Sequence, residues 1–336
     1  MIWLTWRQFR AQAIAAAAAL AVAAVAFAVT GPHLAHLYDT STSAGNFLTD
    51  VNADTTYKTL DVLGIVVLFL APALIGVFWG APLITRELET GTFRLAWNQS
   101  VTRTRWAVIK VGLIGLASMA TAGLLSLMLT WWASPIDTAA GLTTGHGGSL
   151  SLNRLTPFLF ATRGITPIGY AAFAFALGVT AGVLIRRTVP TMAVTLAVFA
   201  FVQIAMPIWI RPHLIAPVHV TSALNPAAID QLFIGMNNQM KVTAAANIPG
   251  ALILSNQSIT PAGHAFTGPA THACQSQTAS QEACNASIGK LHLRQVVSYQ
   301  PASRYWAFQC YETAIFLATA LALAGFCLWR IRRRLS

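Results

Sequence analysis

Few residues in this chain have the types and spacing that catalysis requires. The sequence lacks the Gly-x-x-x-x-Gly-Lys-Ser/Thr motif for ATP phosphates, the His-Glu-x-x-His zinc motif and the Gly-x-Ser-x-Gly nucleophile motif. Gly289-Lys290 has neither the upstream glycine nor the following hydroxyl of a phosphate-binding loop. All eight histidines lie outside the long apolar stretches, with no paired acid and base. We therefore predict no catalytic residue and no cofactor in this chain.

Two cysteines are the remaining candidates for covalent chemistry. Cys274 and Cys284 stand close together in a long polar segment, and their spacing favours a disulfide. Closing so short a loop contributes on the order of 2–3 kcal/mol. The alternative is a metal site formed with His272 and His292, although that spacing matches no standard zinc pattern.

The composition is that of a membrane protein. The chain has 336 residues, of which 55% are hydrophobic and 9% are charged, against roughly 25% charged in soluble domains. Six stretches are apolar enough to cross a hydrocarbon core about 30 Å thick. They are residues 11–30, 62–84, 107–132, 165–185, 190–210 and 312–329. We predict an all-α polytopic membrane protein with six transmembrane helices, an N-terminal interfacial helix and a long outer loop before the last helix.

The distribution of charge predicts the topology. The net charge is +11, but 13 of the 21 basic residues fall in segments that share one predicted side of the membrane, and eight of the ten acidic residues fall on the other. This asymmetry is typical of positive-inside topology rather than of a nucleic-acid binder. We expect a multi-pass protein of the cell membrane, with both termini and the loop 85–106 in the cytoplasm.

The first helix has an alternative interpretation. Ala26-Phe27-Ala28 resembles a signal-peptide cleavage site, but the apolar run from Ala13 to Val29 is longer than a typical signal core. We expect the helix to be retained. Before it, Trp3, Trp6, Arg7 and Arg10 suit an interfacial helix.

The predicted domains follow from these spans. Residues 1–210 form a transmembrane bundle, residues 211–311 an extracytoplasmic loop or small subdomain, and residues 312–336 the last helix with a basic cytoplasmic tail. Within 211–311, Asn225-Pro226 followed by apolar positions 229, 232, 233 and 236 predicts a capped amphipathic helix.

Polar residues inside the spans are few. Gln203 and Glu312 are candidates for a substrate path, although a structural hydrogen bond explains each of them as well. Gly76 and Gly80, and likewise Gly178 and Gly182, have the spacing that allows close helix packing. We expect this packing within the subunit, and the alternative is a contact between subunits.

The loop 85–106 is the segment best suited to contact a soluble partner. Glu87 and Glu89 continue the second span into water, Gly91 permits a sharp turn, and Thr92 can cap a short helix. The side chains that complete this predicted coupling site are Arg86, Phe93, Leu95, Trp97, Arg103 and Arg105. The alternative is an ordinary basic loop that only obeys the charge rule.

This loop resembles that of the ABC-2 type permeases. The matching residues are Arg86-Glu87-x-Glu89-x-Gly91-Thr92, then Leu95, Ser100, Arg103 and Lys110, whereas Val101 stands where many members have proline. Trp3-Leu4-Thr5-Trp6 and Tyr299-Gln300-Pro301 are similar to a subgroup common in high-GC Gram-positive bacteria.

The resemblance implies an exporter subunit rather than an enzyme. Its partners would be a separate ATP-binding cassette ATPase, which holds ATP and Mg, a second permease chain in a homodimer or with a paralogue, and membrane lipid, but no nucleic acid. An uncharged lining favours a drug-like or lipid-like amphipathic substrate, and so a role in efflux or antibiotic resistance. The rival hypotheses are a membrane sensor or anchor that signals through 85–106, and a membrane-embedded transferase.

Overall fold

The chain is organised as two units. The computed structural model describes residues 2–90, 103–143, 153–235, 237–246, 248–275 and 280–334. One unit contains the chain up to Leu214 together with the chain from Tyr305 onward, and the other is Ile215–Arg304. The first unit is helical and the second is mixed.

Six helices of the described chain are long and apolar enough to cross a membrane, which confirms the predicted fold class. Spans 1 to 6 are Phe9–Thr40, Thr55–Glu87, Arg105–Trp132, Thr166–Ile185, Thr188–Leu214 and Ala302–Arg333. Spans 2 and 6 begin at Thr55 and Ala302, earlier than predicted. The prediction covered only the apolar part of each helix, and polar turns extend both helices beyond it.

In the described residues the first unit consists of helices, and spans 2 and 5 each combine more than one helical element. They are α1 (Ile2–Thr40), α2 (Ala44–Ala53), α3 (Thr55–Ile75), α4 (Ala81–Thr90), α5 (Arg103–Trp132), α6 (Ser134–Leu142), α7 (Pro157–Thr162), α8 (Thr166–Ile185), α9 (Thr188–Ala205), α10 (Arg211–Leu214) and α13 (Tyr305–Arg334). Two π-helical segments, Gly76–Gly80 and Met206–Ile210, join α3 to α4 and α9 to α10. Span 2 and span 5 therefore each contain a local change of helical pitch.

The predicted separate interfacial helix at the N-terminus is not confirmed. Residues 2–10 belong to the same 39-residue helix, α1, as the first span. The segment 31–61 between the first two predicted spans is also largely helical, since α1 extends to Thr40 and α2 follows after a short turn. Ser43 caps α2 by accepting a hydrogen bond from the Asn46 N–H at 3.2 Å.

Span 4 is the central helix of the bundle. In its most apolar 18-residue window 78% of the residues are buried, against 28% or less in the other spans. It packs against spans 2, 3, 5 and 6. Small residues along span 4 allow this, because a helix surrounded by four others has little room for long side chains.

The second unit contains two three-stranded antiparallel sheets, ordered β1-β6-β4 and β2-β3-β5. The strands are β1 (Val218–Ala223), β2 (Ile229–Ile234), β3 (Gln239–Ala244), β4 (Leu252–Ile259), β5 (Gly268–Pro269) and β6 (Arg294–Gln300). Helices α11 (His272–Gln275) and α12 (Gln281–Gly289) lie between β5 and β6. This small β region was not predicted.

The prediction of an amphipathic helix after Asn225 is wrong. Asn225 does cap a turn, since its side chain accepts from the Ala227 N–H at 3.0 Å, but that turn is a three-residue 3-10 helix. The chain then enters β2, which pairs with β3 from Ile229–Ala244 to Ile234–Met240. Cross-strand pairing outweighs the helical spacing of these apolar residues.

Cys274 and Cys284 form a disulfide in this unit, with Cα atoms 4.7 Å apart. The bond joins α11 to α12. The two sulfurs are thereby removed from any metal site that His272 and His292 could share with them.

Candidate functional site

One end of the bundle collects the termini and the start of the predicted coupling loop. Phe9, Ile84, Trp106, Val183 and Ile331 belong to one buried apolar cluster, so spans 1, 2, 3, 4 and 6 meet there. We call this the basic end, because the described helix ends that meet there include Arg7, Arg10, Arg105 and Arg332. The candidate site is the part of span 2 at this end and what it contacts.

Glu87 links span 2 to span 3. Its carboxylate forms an ion pair with the Lys110 ammonium, whose side chain is only 3% exposed. The same ammonium lies 5.2 Å from the centre of the Trp106 ring, within range of a cation–π contact. Glu87 is thus partly buried and paired, rather than directed into water as the sequence suggested.

Glu89 links span 2 to span 5. Its carboxylate accepts a hydrogen bond from the Thr188 N–H at 2.8 Å and another from the Thr188 hydroxyl. Thr188 is the first residue of α9, so Glu89, which lies in α4 just beyond the end of span 2, satisfies an N-terminal donor of span 5 and places negative charge at the positive end of that helix. The hydrogen bonds from Thr188 lower the pKa of Glu89, and nearby Arg187 lowers it further.

The same stretch of span 2 touches span 4 backbone to backbone. A Cβ atom built on Gly178 would lie 2.4 Å from the Gly76 carbonyl oxygen, and one on Gly80 would lie 2.6 Å from the Phe175 carbonyl oxygen. On Gly182 it would lie 2.9 Å from a methyl carbon of Thr85. The predicted close packing of these glycines within the subunit is confirmed, and it coincides with the π-helical segment of span 2.

Part of the predicted coupling site lies outside the described residues. Gly91, Thr92, Phe93, Leu95 and Trp97 belong to 91–102, of which nothing is described. On either side, Arg86 and Arg105 are exposed, and α5 begins at Arg103. The structure therefore shows how the ends of the loop are attached, and the role of the loop stays a prediction.

The two candidate substrate-path residues have different environments. Glu312 is fully buried, and its carboxylate accepts from the Arg211 guanidinium at 2.9 and 3.1 Å and from the Tyr170 hydroxyl. Phe160 covers that guanidinium, with its ring centre 3.8 Å away. These contacts favour a structural role for Glu312.

Gln203 is 8% exposed, and neither polar atom of its amide has a hydrogen-bond partner in the described residues. A buried amide without partners is energetically unfavourable, so Gln203 fits a substrate path better than Glu312 does.

A further buried ion cluster, which was not predicted, lies at the end of the bundle opposite the basic end. Arg163 is 1% exposed and donates to Asp61 at 2.8 Å. Its Nε also lies 3.5 Å from Asp137, which in turn lies 3.2 Å from Arg154 Nε, although neither contact has hydrogen-bond geometry. Burial raises the pKa of Asp137, and the two arginines oppose that shift.

The signal for this cluster was present but weak. Asp61 stands at the edge of one apolar stretch and Arg163 at the edge of another, and we counted both as charges of outer loops. Opposite charges at matching ends of two spans could have suggested a pair.

In the described chain the first unit is a bundle of six apolar helices whose second span is fastened to spans 3, 4 and 5 near the basic end. The model of the ABC-2 membrane transporter related family matches residues 17–211, more than half of the chain. The chain belongs to this family. No curated protein and no solved structure matches it.

Membership defines the general role of the chain. This ABC-2 family member is a multi-pass membrane protein and a transport subunit rather than a catalyst, and the family implies an ATPase partner in general. The matched residues include most of span 1, all of spans 2 to 4, most of span 5 and the segment 85–106. They exclude span 6 and the β region.

Proposed function

We propose that this chain is the permease subunit of an ATP-binding cassette exporter. It moves an amphipathic, drug-like or lipid-like substrate outward, using ATP hydrolysed with Mg by a separate ATPase subunit. The complex contains two permease chains, identical or paralogous, with both termini and the segment 85–106 in the cytoplasm. Efflux of a toxic amphiphile is the role that this activity would serve.

The observation that carries the proposal is the family match across 85–106, combined with how this segment begins. Span 2 leads into it through α4, and α4 is bound to span 3 by Glu87–Lys110 and to span 5 by Glu89–Thr188. A displacement applied beyond Thr90 would therefore reach three spans at once. Rigid-body movement of packed helices is a common means of coupling one site to another.

The central bundle supports passage of an apolar or amphiphilic substrate. Span 4 is lined with small and aromatic residues, and the charged groups of Arg211 and Glu312 neutralise each other. Gln203 supplies an amide that hydrogen-bonds to nothing in the described chain, and it lies one helical turn after Phe199, a member of a buried aromatic cluster with Phe173 and Phe316. A pathway of this composition suits a molecule with apolar surface and few polar groups.

The test is reconstituted export. The chain and its candidate ATPase are expressed together, and ATP-dependent uptake of a fluorescent amphiphile is measured in inside-out vesicles. We expect uptake that needs both chains and that disappears with an ATPase variant unable to hydrolyse ATP. Co-purification of the two chains without any ATP-dependent uptake across a panel of amphiphiles would contradict export and favour a sensor or anchor.

A further inference from the structure

We propose that the end of span 2 opposite the basic end holds an anionic phospholipid of the surrounding membrane. Its phosphate lies at Lys58 and its acyl chain lies along Val62, Leu63 and Val66. This inference concerns a site on the outside of the bundle and does not rest on the proposed export function.

The site is a groove along one face of α3. It has a volume of about 570 Å³, within the range of roughly 300–1,000 Å³ usual for small-molecule sites. Thr55, Lys58 and Thr59 line one part of it, and Val62, Leu63 and Val66 line the other. These positions recur every three or four residues, so they share one side of the helix.

Polarity changes along the groove in the order that a lipid requires. The lysine and the threonines come first, and only apolar side chains follow. From Lys58 to Val66 the helix rises about 12 Å, at about 1.5 Å per residue, which takes the groove from the headgroup level toward the acyl region. The three apolar side chains are 46%, 54% and 46% exposed, so the bundle itself does not cover them.

The charge of Lys58 is not neutralised by the described chain. None of the five ion pairs in the described residues includes it. Asp54, one turn earlier, instead caps α3 by accepting from the Thr56 and Tyr57 N–H groups at 2.7 and 3.4 Å. Asp61, three residues later, is paired with Arg163. An ammonium at the membrane surface with no internal counter-ion attracts an anionic headgroup.

A second copy of this chain fits the groove less well. In a twofold contact the same patch meets itself, which would bring two Lys58 ammonium groups close together without a counter-charge. A water-soluble anion also fits less well, because it would leave the apolar half of the groove exposed. A phospholipid satisfies both halves.

The experiment measures which lipid the full-length protein retains. The chain is purified from bilayers that contain equal amounts of phosphatidylglycerol and phosphatidylcholine with the same acyl chains, and bound lipids are counted by native mass spectrometry. We expect wild type to prefer phosphatidylglycerol, with Lys58 alone contributing about five-fold, the effect of about one lysine at an anionic surface. Lys58→Gln should therefore lower the preference about five-fold, to the level that the arginines of the basic end maintain, whereas Lys290→Gln, at an exposed lysine of the other unit, should leave it unchanged.

A second pair of variants tests the apolar half. Val62→Trp should fill the groove and reduce retention of both lipids, whereas Val22→Trp, on the exposed face of span 1, should not. The proposal is overturned if Lys58→Gln keeps the full preference, or if Lys290→Gln loses it equally. It is also overturned if glycerol phosphate displaces the lipid completely, which would indicate a soluble anion, or if Val62→Trp separates a dimer without changing lipid retention.

Discussion

At the basic end of the bundle Glu87 and Glu89 remain partly or fully accessible, whereas at the opposite end Asp61, Asp137 and Glu312 are almost completely buried. Both ends tie different spans together through carboxylates. At the basic end the partners are one lysine and one helix N-terminus. At the opposite end they are mainly Arg163 and Arg211, both enclosed within the bundle, with the half-buried Arg154 near Asp137.

This difference indicates a division of roles. A buried ion pair costs much to break, because each partner would be left as an uncompensated charge. At the basic end Glu87–Lys110 is also largely enclosed, but the Glu89–Thr188 link lies at the surface, where a polar link costs little to break and can change during a cycle. We therefore expect the opposite end to hold the spans in a fixed arrangement and the basic end to transmit movement.

The largest expected effect of a single substitution is at Arg163. Arg163→Ala leaves Asp61 and Asp137 buried without their main partner, which should lower the free energy of unfolding by about 3–5 kcal/mol. Thermal unfolding in detergent measures the change, with Arg294→Ala at an exposed strand position as the control. A loss no greater than that of the control would show that this cluster does not hold the spans together.

The next effect is expected where span 2 meets span 4. Gly178→Ala places a methyl group 2.4 Å from the Gly76 carbonyl oxygen, so the helices must separate, at a cost of about 1–3 kcal/mol. Gly112→Ala is the matched control, because its Cβ would meet nothing within 4 Å in another span. If both variants unfold at the same temperature, the backbone contact does not fasten span 2.

The smallest effect is expected at Glu89, and it depends on pH. Because Thr188 lowers the pKa of Glu89, the stability that this carboxylate contributes is present above the ordinary glutamate pKa and is lost as the pH falls through the folded-state pKa. Glu89→Gln should therefore lower the unfolding temperature slightly at pH 7, and the difference from wild type should shrink on acidification toward the folded-state pKa. An unchanged difference across that range would mean that the charge of Glu89 is not what binds span 5.

The helices of this fold could be predicted from the sequence, but their ion pairs could not. Six apolar stretches require six helices, since unpaired backbone groups are excluded from hydrocarbon. Asp61 and Arg163 are separated by 102 residues, and their positions at matching ends of two spans were the only weak indication of a pair. Close packing at Gly76 and Gly178 was predictable because small residues at that spacing have few other uses in a membrane helix.

The β region illustrates where periodicity misleads. Ile229, Leu232 and Phe233 have the spacing of a helix face, yet they lie in a strand that pairs with β3. The Gly235 N–H donates to the Gln239 carbonyl oxygen at 2.9 Å, and this hydrogen bond closes the hairpin between β2 and β3. Short apolar segments match both patterns, and only their pairing partners decide between them.

The candidate site was predicted in position but not in its connections. The sequence placed Glu87 and Glu89 at the end of span 2, and the resemblance gave them a coupling role. It did not reveal that Glu89 contacts Thr188, because the two residues are 99 positions apart. The proposed movement would therefore be transmitted to span 5 as well as to spans 2 and 3.

The central claim is that energy enters the bundle through the basic end of span 2, and the number of substrate molecules exported per ATP tests it most directly. Glu87→Gln keeps the shape of the side chain but removes the charge that holds Lys110. We predict that the variant still binds its ATPase and hydrolyses ATP, while export per ATP falls several-fold, and that Glu282→Gln in the other unit changes neither. An unchanged ratio for Glu87→Gln would contradict the claim.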